Sequence, residues 1–479
     1  MAERRHGRDV AGLGGPAGHG RVERVITEQR RARNHPARRS VVGCSRTIRV
    51  GAAGLAAAAV VALAACGQPV TPDSDATSPA ASPGGRTSPT SSGPTSAGST
   101  SPTSPPEATS SAGGPKTPSH PASSNKPGTP AGSCSTLAGE LSLDQQVGQL
   151  FMAATSSSGM TTSEADRLAS LKIGSVLLLG NSTAGRSTIS EVTSSIKQRV
   201  GADHGVQVLL AADQEGGLVQ RLAGPGFDTV PSAEEQATIS DGRLRSDARH
   251  WGRQLKRAGI TANLAPVSDV VPTSIGTLNQ PIGALHRGYG PDPDVVARKN
   301  VAFITGMEAA GVATTVKHFP GLGIVRGNTD TSTDVTDDVT TRHDRRLAGF
   351  RAGIRSGVDM VMVSSAVYTK IDPNRPATFS RTVLDGMIRG DLGFGGVIIS
   401  DDLDGKALNG VAVRHRALRF IRAGGDLSIV GQPADVEPMV DAVRQDAADD
   451  PGLRAQVRQA ATRVLIMKAR HGLADCTSS

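Results

Sequence analysis

The sequence contains few aromatic and few apolar residues for its length. Of its 479 residues only 37% are apolar, and it has one Trp, two Tyr and eight Phe. A single packed domain of this length would contain more of both. A large part of the chain must therefore lie outside any hydrophobic core.

Excess positive charge is also absent from most of the chain, although the formal net charge is +8. Residues 1–65 contain 12 Arg, no Lys and four acidic side chains, which accounts for the whole net charge. The remaining residues carry 40 basic and 40 acidic side chains. Because the excess charge belongs to one N-terminal segment, we expect no nucleic-acid-binding surface on a folded domain.

The N-terminal segment, residues 1–65, is typical of a targeting leader. Residues 50–65 are all Gly, Ala, Val or Leu, a run somewhat short for a membrane span, and Cys66 follows it directly. Small residues before a Cys are typical of a bacterial lipoprotein signal, in which the Cys becomes the lipidated N-terminus. We therefore predict lipidation at Cys66 and anchoring on the outer face of the cell membrane, in the cell envelope. An Ala-rich transmembrane anchor is the alternative, and a translation start near Val41 is a further hypothesis.

Residues 66–133 are predicted to form a disordered linker. Between Thr71 and Pro130, 45 of 60 residues are Ser, Thr, Pro or Gly. Such a composition cannot bury enough apolar surface to offset the entropy of ordering the chain.

Cysteine is scarce as well. Apart from Cys44 in the leader and Cys66, only Cys134 and Cys476 remain, and they bracket the segment with globular composition, 134–479. An oxidising location favours a disulfide between Cys134 and Cys476, and two free thiols are the alternative.

The segment 134–479 alternates apolar runs with helical patterns. The runs that predict buried parallel strands are 147–153, 173–179, 206–213, 261–267, 312–319, 360–364, 396–401 and 426–430. Helical patterning lies between most of them, for example at 188–200, 243–258, 293–310 and 345–356. Eight strands alternating with helices favour an α/β fold of the (β/α)₈ TIM-barrel type over an open sheet.

Charged residues and glycines follow several of these strands, where such barrels have their active sites. The clusters are DQEGG at 213–217, SD at 268–269, KHFPG at 317–321 and SDD at 400–402. A metal is not expected, because no His pair has helical ligand spacing and no Cys pair is available. The Gly-rich stretches do not fit a phosphate-binding loop either.

Four motifs resemble a known family. They are DQEGG at 213–217 with QRL at 220–222, KHFPGLG at 317–323, PATFS at 376–380 and LGFGGVIISDDL at 392–403. The chain resembles the single-domain β-N-acetylglucosaminidase branch of glycoside hydrolase family 3 over roughly residues 140–470. The resemblance implies an exo-acting retaining glycosidase on a barrel, with no cofactor.

The resemblance also implies roles for individual residues. Asp401, directly after the seventh strand, matches the catalytic nucleophile, whereas Asp402 is interpreted as structural. The residues that match the substrate-binding positions are Asp213, Arg221, Arg287, Lys317 and His318. A buried ion pair or a core histidine is the alternative for each of these five.

The general acid is where the sequence departs from the family pattern. The family loop after KHFPG contains Asp-Ser-His, whose His transfers the proton, but residues 321–334 read GLGIVRGNTDTSTD and include no His. By position, Asp330 replaces that His and is the first candidate for the acid/base, with Asp334 as the second. Loss of the donor is the remaining alternative.

Together these features predict a monomeric exo-β-N-acetylglucosaminidase that acts on peptidoglycan-derived GlcNAc glycans outside the membrane. A β-glucosidase or β-xylosidase on the same fold is the alternative among enzymes. A non-catalytic glycan-binding lipoprotein would explain the missing loop His. A solute-binding transport lipoprotein would share the Cys66 signal but needs two lobes, whereas the strand pattern predicts one barrel.

Overall fold

A computed structural model describes residues 131–201 and 204–476, which fold around a barrel of eight parallel strands. From β1 to β7 each strand pairs with the next, and β8 pairs with β1. Leu427 closes the ring, because it pairs with Ile399 and its carbonyl accepts the Ser400 amide at 3.0 Å. The predicted (β/α)₈ barrel is confirmed. Its strands are β1 Phe151–Ser156, β2 Ser175–Leu179, β3 Leu209–Ala212, β4 Ala262–Asn263, β5 Ala313–Phe319, β6 Met360–Val363, β7 Val397–Ser400 and β8 Ser428–Val430.

Helices surround the barrel and join its strands. A π-helical segment, Thr382–Asp391, stands between β6 and β7. The α-helices are α1 Ala131–Glu140, α2 Leu143–Gln149, α3 Thr162–Ser170, α4 Gly185–Val200, α5 Ala233–Gln236, α6 Asp241–Arg257, α7 Pro293–Glu308, α8 Ala348–Arg355, α9 Arg416–Arg422, α10 Pro433–Asp449 and α11 Pro451–Arg470.

The first predicted strand, 147–153, begins too early. Its first residues belong to α2, and β1 starts only at Phe151. A capping box starts that helix, because Ser142 Oγ accepts from the Gln145 amide while Gln145 Oε1 accepts from the Ser142 amide. A short buried apolar run does not by itself distinguish a helix from a strand, and here the cap decides.

Side chains of the strands alternate between the inside of the barrel and the helix layer. The buried interior cluster includes Met152, Ala154, Leu177, Leu209, Ala211, Ala262, Leu264, Ala313, Met360, Met362, Val397, Ile399, Leu427 and Ile429. Intervening residues such as Ala153, Val176, Leu210, Val361 and Ile398 belong to the cluster that packs beneath the helices. The barrel is thus filled by side chains, and its open space lies at the rim.

Helix α11 and the turn after it cover the N-terminal end of the barrel. Met467 and Leu473 belong to the interior cluster. The buried Lys468 ammonium donates to Gln149 Oε1 at 2.6 Å and to the Gly174 carbonyl at 2.7 Å. Burial lowers the pKa of Lys468 to about 7. This end of the barrel therefore has a structural role, and the chemistry belongs to the opposite rim.

A disulfide joins Cys134 in α1 to Cys476 beyond α11, with Cα atoms 4.8 Å apart. It ties the first and last described helices together, and α1 packs along α11. Within the described residues no helix combines the length and apolar character needed to cross a membrane. The predicted leader, the lipidation site Cys66 and nearly all of the linker lie outside the described residues.

Candidate active site

The C-terminal ends of three barrel strands carry the charged residues at the centre of the site. Asp213 directly follows β3, Lys317 and His318 lie at the end of β5, and Asp401 directly follows β7. Arg287 comes from the loop between β4 and α7. Because all parallel strands of a barrel point to one rim, residues far apart in sequence meet there.

A cavity of about 420 Å³ opens at this rim, a volume typical of small-molecule sites. Its apolar floor is made of Leu177, Leu264, Met362 and Ile429 from the barrel interior. All seven predicted catalytic and substrate-binding residues line it: Asp213, Arg221, Arg287, Lys317, His318, Asp330 and Asp401.

Among the described residues no Trp, Tyr or Phe side chain lines this cavity. Trp251 packs against Phe303, with ring centroids 6.5 Å apart. The buried Tyr289 hydroxyl donates to Gln236 Oε1, and the Tyr368 hydroxyl donates to the Gly321 carbonyl. A ligand in the cavity must therefore be held by hydrogen bonds and not by stacking.

Lys317 and Arg287 form a buried charge cluster with two acids. Lys317, 2% exposed, places its Nζ 2.6 Å from Asp213 Oδ1 and 2.6 Å from Glu215 Oε1. Arg287 binds Glu215 in a bidentate manner, with Nε 2.8 Å from Oε2 and Nη2 2.8 Å from Oε1. Asp213 is the more open acid, since 16% of its side chain is exposed.

The charges in this cluster stabilise one another. Burial alone would raise the pKa of Glu215, but the charges of Arg287 and Lys317 outweigh it and hold that pKa well below its ordinary range. Burial alone would lower the pKa of Lys317, but Asp213 and Glu215 raise it overall. Lys317 and Arg287 therefore remain cationic donors, which suit the hydroxyl oxygens of a sugar.

Asp269 orients the ring of His318. The fully buried Asp269 carboxylate lies 2.7 Å from His318 Nδ1, and its other oxygen accepts the amides of His318 and Leu322. The hydrogen-bond network assigns the Nδ1 proton to this contact and leaves Nε2 beside Arg287 Nη2, at 3.5 Å. The ring is thereby held with Nε2 directed to the cavity.

Lys317 and His318 line the same cavity although they are neighbours on a strand, where side chains ordinarily alternate. The pairing of β5 with β6 shifts register between Val316 and Phe319. An irregularity of this kind redirects side chains, so both residues serve the site.

Asp401 is a partly buried carboxylate with one oxygen left for a ligand. Its Oδ1 accepts the Asp402 amide at 2.9 Å, and no other described residue bonds to the carboxylate. Burial raises the pKa of Asp401 to about 6, with His318 favouring the ionised form and Asp330 opposing it. Above about pH 6 Asp401 is therefore an anion that faces the cavity.

Asp402 holds the loop after β7 against the end of β8. Its Oδ1 accepts the amides of Asp404 at 3.0 Å and Gly431 at 2.9 Å. A Cβ at Gly431 would lie 2.1 Å from Asp402 Oδ2, so a glycine is required for this approach. These contacts fix the backbone beside Asp401 in place.

Of the two candidates for the general acid, only Asp330 shares the cavity of Asp401. Asp330 is exposed, and its negative charge contributes to the raised pKa of Asp401. The Thr329 carbonyl accepts the Ala407 amide at 3.0 Å and helps to hold this loop. Asp334 lines a separate groove on the other side of the loop.

Arg221 lines the cavity from the segment after β3. Its Nη1 donates to Asn181 Oδ1 at 3.0 Å, and its backbone amide donates to the Asp213 carbonyl at 3.2 Å. Its Nε is buried and has no hydrogen-bond partner among the described residues. A buried donor of this kind costs free energy unless it is paired, which favours a ligand oxygen at this point.

Two residues that organise the site were not predicted from the sequence, Glu215 and Asp269. A signal existed for each: Glu215 lies two positions after Asp213, so both can face the same side of an extended segment. Asp269 follows the fourth apolar run. Their roles became visible only through distant partners, since Glu215 binds Arg287, 72 residues away, and Asp269 binds His318, 49 residues away.

Comparisons with known proteins agree on one family. Residues 142–467 match the model of the glycosyl hydrolase family 3 N-terminal domain. A β-hexosaminidase of Stenotrophomonas maltophilia is 31% identical over 326 residues, covering 65% of this chain and 93% of that protein.

Solved structures lead to the same family. A β-N-acetylhexosaminidase from Beutenbergia cavernae is 43% identical, with a TM-score of 0.67, over 69% of this chain and 99% of the other. A family 3 β-N-acetylglucosaminidase from Paenibacillus is 27% identical, with a TM-score of 0.62, over 70% of this chain and 63% of the other.

A carboxylate-rich polar cavity at the C-terminal rim of a closed (β/α)₈ barrel, taken with these relatives, defines a glycoside hydrolase. The chain belongs to glycoside hydrolase family 3, as the sequence motifs indicated.

Proposed function

We propose that the protein is an exo-acting, retaining β-N-acetylglucosaminidase that removes terminal β-linked GlcNAc. The observation that carries the proposal is the pairing of Asp401 with Asp330 in one cavity that also contains the cationic donors Lys317 and Arg287. The names of the relatives support the choice of sugar, since they are β-hexosaminidases and β-N-acetylhexosaminidases.

In this mechanism Asp401 attacks the anomeric carbon while Asp330 donates a proton to the departing glycosidic oxygen. A covalent glycosyl-enzyme forms on Asp401, and the alcohol leaves. Asp330, now ionised, takes a proton from water, which attacks the same carbon and releases GlcNAc from Asp401. Two displacements at one carbon retain the β configuration.

The substrate-binding roles follow from the contacts around the cavity. Asp213 accepts sugar hydroxyls, and Lys317 and Arg287 donate to them. The Nε2 atom of His318 and the unpaired Nε of Arg221 offer further hydrogen bonds. Arg221 Nε is a polar atom that the protein leaves open, whereas Asp213, Lys317 and Arg287 would add ligand bonds to those they already make; a few such placed polar groups give a site its specificity.

The natural substrates in this proposal are peptidoglycan fragments. A lipid on Cys66 would hold the enzyme outside the membrane, and the linker would let the barrel reach the surrounding wall. Peptidoglycan is the GlcNAc polymer present in that location. The signal-like sequence before Cys66 and the linker composition support this part of the proposal.

The test is to incubate the purified protein with aryl β-GlcNAc, aryl β-glucoside and aryl β-xyloside side by side. We expect turnover of aryl β-GlcNAc at a much higher kcat/KM than the others, and NMR should detect the β anomer of GlcNAc as the first product. A preference for the glucoside or xyloside would assign the enzyme to the alternative substrates. Binding of GlcNAc glycans without turnover of any substrate would contradict the hydrolase mechanism.

A further inference from the structure

A second cavity, here called the cationic groove, lies next to the catalytic cavity. Its volume is about 860 Å³. Thr333 and Asp334 line it, whereas the preceding residues Thr329 and Asp330 of the same loop line the catalytic cavity. The loop therefore forms a common boundary between the two.

The lining of this groove is strongly basic. It contains five cationic side chains and one acidic side chain, Asp334; the cations are Arg375, Arg381, Lys406, Arg419 and Arg422. Phe379, Leu408 and Val411 supply apolar surface between them. A groove with one sign of charge concentrates ligands of the opposite sign.

Three of these cations have no partner of their own. Arg381 pairs with Asp385, and Arg422 pairs with acids of α10 and its C-terminus. Within residues 131–201 and 204–476, no side-chain hydrogen bond or ion pair is made by Arg375, Lys406 and Arg419. Their positive charge is thus left for an anion from outside the chain.

The groove is physically linked to the catalytic loop. The Lys406 amide donates to the Asp330 carbonyl at 3.3 Å, while Lys406 itself lines the groove. In the proposed mechanism the leaving group departs past Asp330. A substituent on that leaving group can therefore continue over the loop towards Lys406.

We propose that the cationic groove binds the carboxylates of a stem peptide attached to the leaving-group sugar of the substrate. This inference rests on the proposed function, and it adds that the preferred fragments still carry their peptide. An extended peptide of three to five residues spans roughly 10–17 Å. The three residue steps from Asp330 to Thr333 span at most about 11 Å, so a peptide of four or five residues is long enough to reach the groove from a sugar bound beside Asp330.

The two cavities differ in net charge, and this difference suits them to different parts of the substrate. The catalytic cavity is lined by four acids and by the cations Arg221, Arg287 and Lys317, so its charges nearly balance and it does not concentrate a peptide carboxylate. The groove beyond the loop attracts it. The same contrast would orient the substrate, with the neutral GlcNAc over Asp401 and the anionic end over Lys406.

The experiment compares kcat/KM for aryl β-GlcNAc, GlcNAc–MurNAc, GlcNAc–MurNAc-peptide and the same peptide with amidated carboxylates. The variant is the triple change Arg375→Gln, Lys406→Gln and Arg419→Gln. An exposed ion pair contributes a factor of about 1.4 to 5. We therefore expect the triple variant to lose about tenfold on the free-carboxylate peptide and to keep its activity on aryl β-GlcNAc.

A matched control variant and a series of salt concentrations make the test more specific. Arg253→Gln, an exposed arginine of α6 that lines neither cavity, should leave all four values unchanged. The advantage of the free-carboxylate peptide over its amidated form should shrink as salt is added, because exposed charges are screened. An equal kcat/KM for both peptide forms, or an unchanged ratio in the triple variant, would overturn the inference. Failure of the wild type on aryl β-GlcNAc itself would instead refute the proposed function.

Discussion

Replacing Glu215 with Gln should destabilise the fold and impair sugar binding together. Glu215 is the buried acid shared by Arg287, through two bonds of 2.8 Å, and Lys317, through one of 2.6 Å. A glutamine has nearly the same shape and can still accept a hydrogen bond. It cannot neutralise either cation, so two buried positive charges would be left with Asp213 as their nearest acid.

The expected loss of folding free energy follows from the removal of one partner of a buried ion pair, which costs about 3–5 kcal/mol. The retained hydrogen bond places Glu215→Gln near the lower end of that range. Since Lys317 and Arg287 would repel each other and shift, kcat/KM should fall by about 10- to 100-fold, equivalent to roughly 1.4–2.7 kcal/mol of transition-state stabilisation.

Urea denaturation at pH 7 measures the stability, and hydrolysis of aryl β-GlcNAc measures the activity. Asp213→Asn is the matched control, because Asp213 is partly exposed and contacts Lys317 alone among the described cations. It should lower kcat/KM with a much smaller loss of stability. Equal denaturation midpoints for the wild type and Glu215→Gln would refute the account of a buried, mutually stabilised cluster.

The pH dependence of stability gives a second check on Glu215. Its pKa in the folded state lies well below the ordinary 4.5, so its stabilising contribution is present above about pH 4.5 and is lost as the pH falls further. The wild type should therefore lose stability more steeply than Glu215→Gln below pH 4.5. Parallel stability curves in acid would contradict the assigned direction of the shift.

The remaining predictions concern the two catalytic acids and the disulfide. Asp401→Ala should abolish turnover in a folded protein, and peptide mapping after a slowed fluorinated substrate should find the label on Asp401 and on no other carboxylate. The kcat/KM of the wild type should fall below about pH 6, where Asp401 becomes protonated and can no longer attack the anomeric carbon. Asp330→Ala should lose activity on substrates with poor leaving groups but largely keep the glycosylation step with activated aryl glycosides, and added azide should restore its turnover. Wild-type activity in this variant would instead assign the acid/base role to Asp334 or to the substrate's acetamido group. Non-reducing mass mapping should find Cys134 linked to Cys476, a bond that contributes about 4–5 kcal/mol in the chain-entropy model, and two alkylatable thiols would contradict it.

The barrel could be predicted from the sequence because its strands are buried on both faces and appear as apolar runs. Six of the runs match their strands to within three residues at each end, the run 261–267 contains a strand of only two residues, Ala262–Asn263, and the first run, 147–153, started in α2. The capping box at Ser142 could have corrected the start of this predicted strand, since the Ser142–Gln145 pair is a local signal for the start of a helix. Element boundaries are set by such local contacts, which apolar periodicity does not include.

The site could be predicted in part for the same reason. Asp213, Lys317 and Asp401 stand at strand ends, and a parallel barrel collects strand ends at one rim. Position in the family motif made Asp330 the first candidate and Asp334 the second, but spacing could not show which acid faces Asp401, because both belong to one irregular loop. The fold of that loop, with Thr329 and Asp330 bound to the backbone at 406–407, directs the two acids into different cavities.

The sequence by itself determined the barrel, its eight strands and the position of Asp213, Lys317 and Asp401 at strand ends, since periodicity and position along a strand are local properties. Only the tertiary structure decided that Glu215 supports Lys317 and Arg287, that Asp269 orients His318, and which loop acid faces Asp401. Those partners lie on different strands and loops, so their distances depend on barrel closure and strand register. The charge of a side chain can be read from the sequence, but the fold decides which charged partner lies next to it.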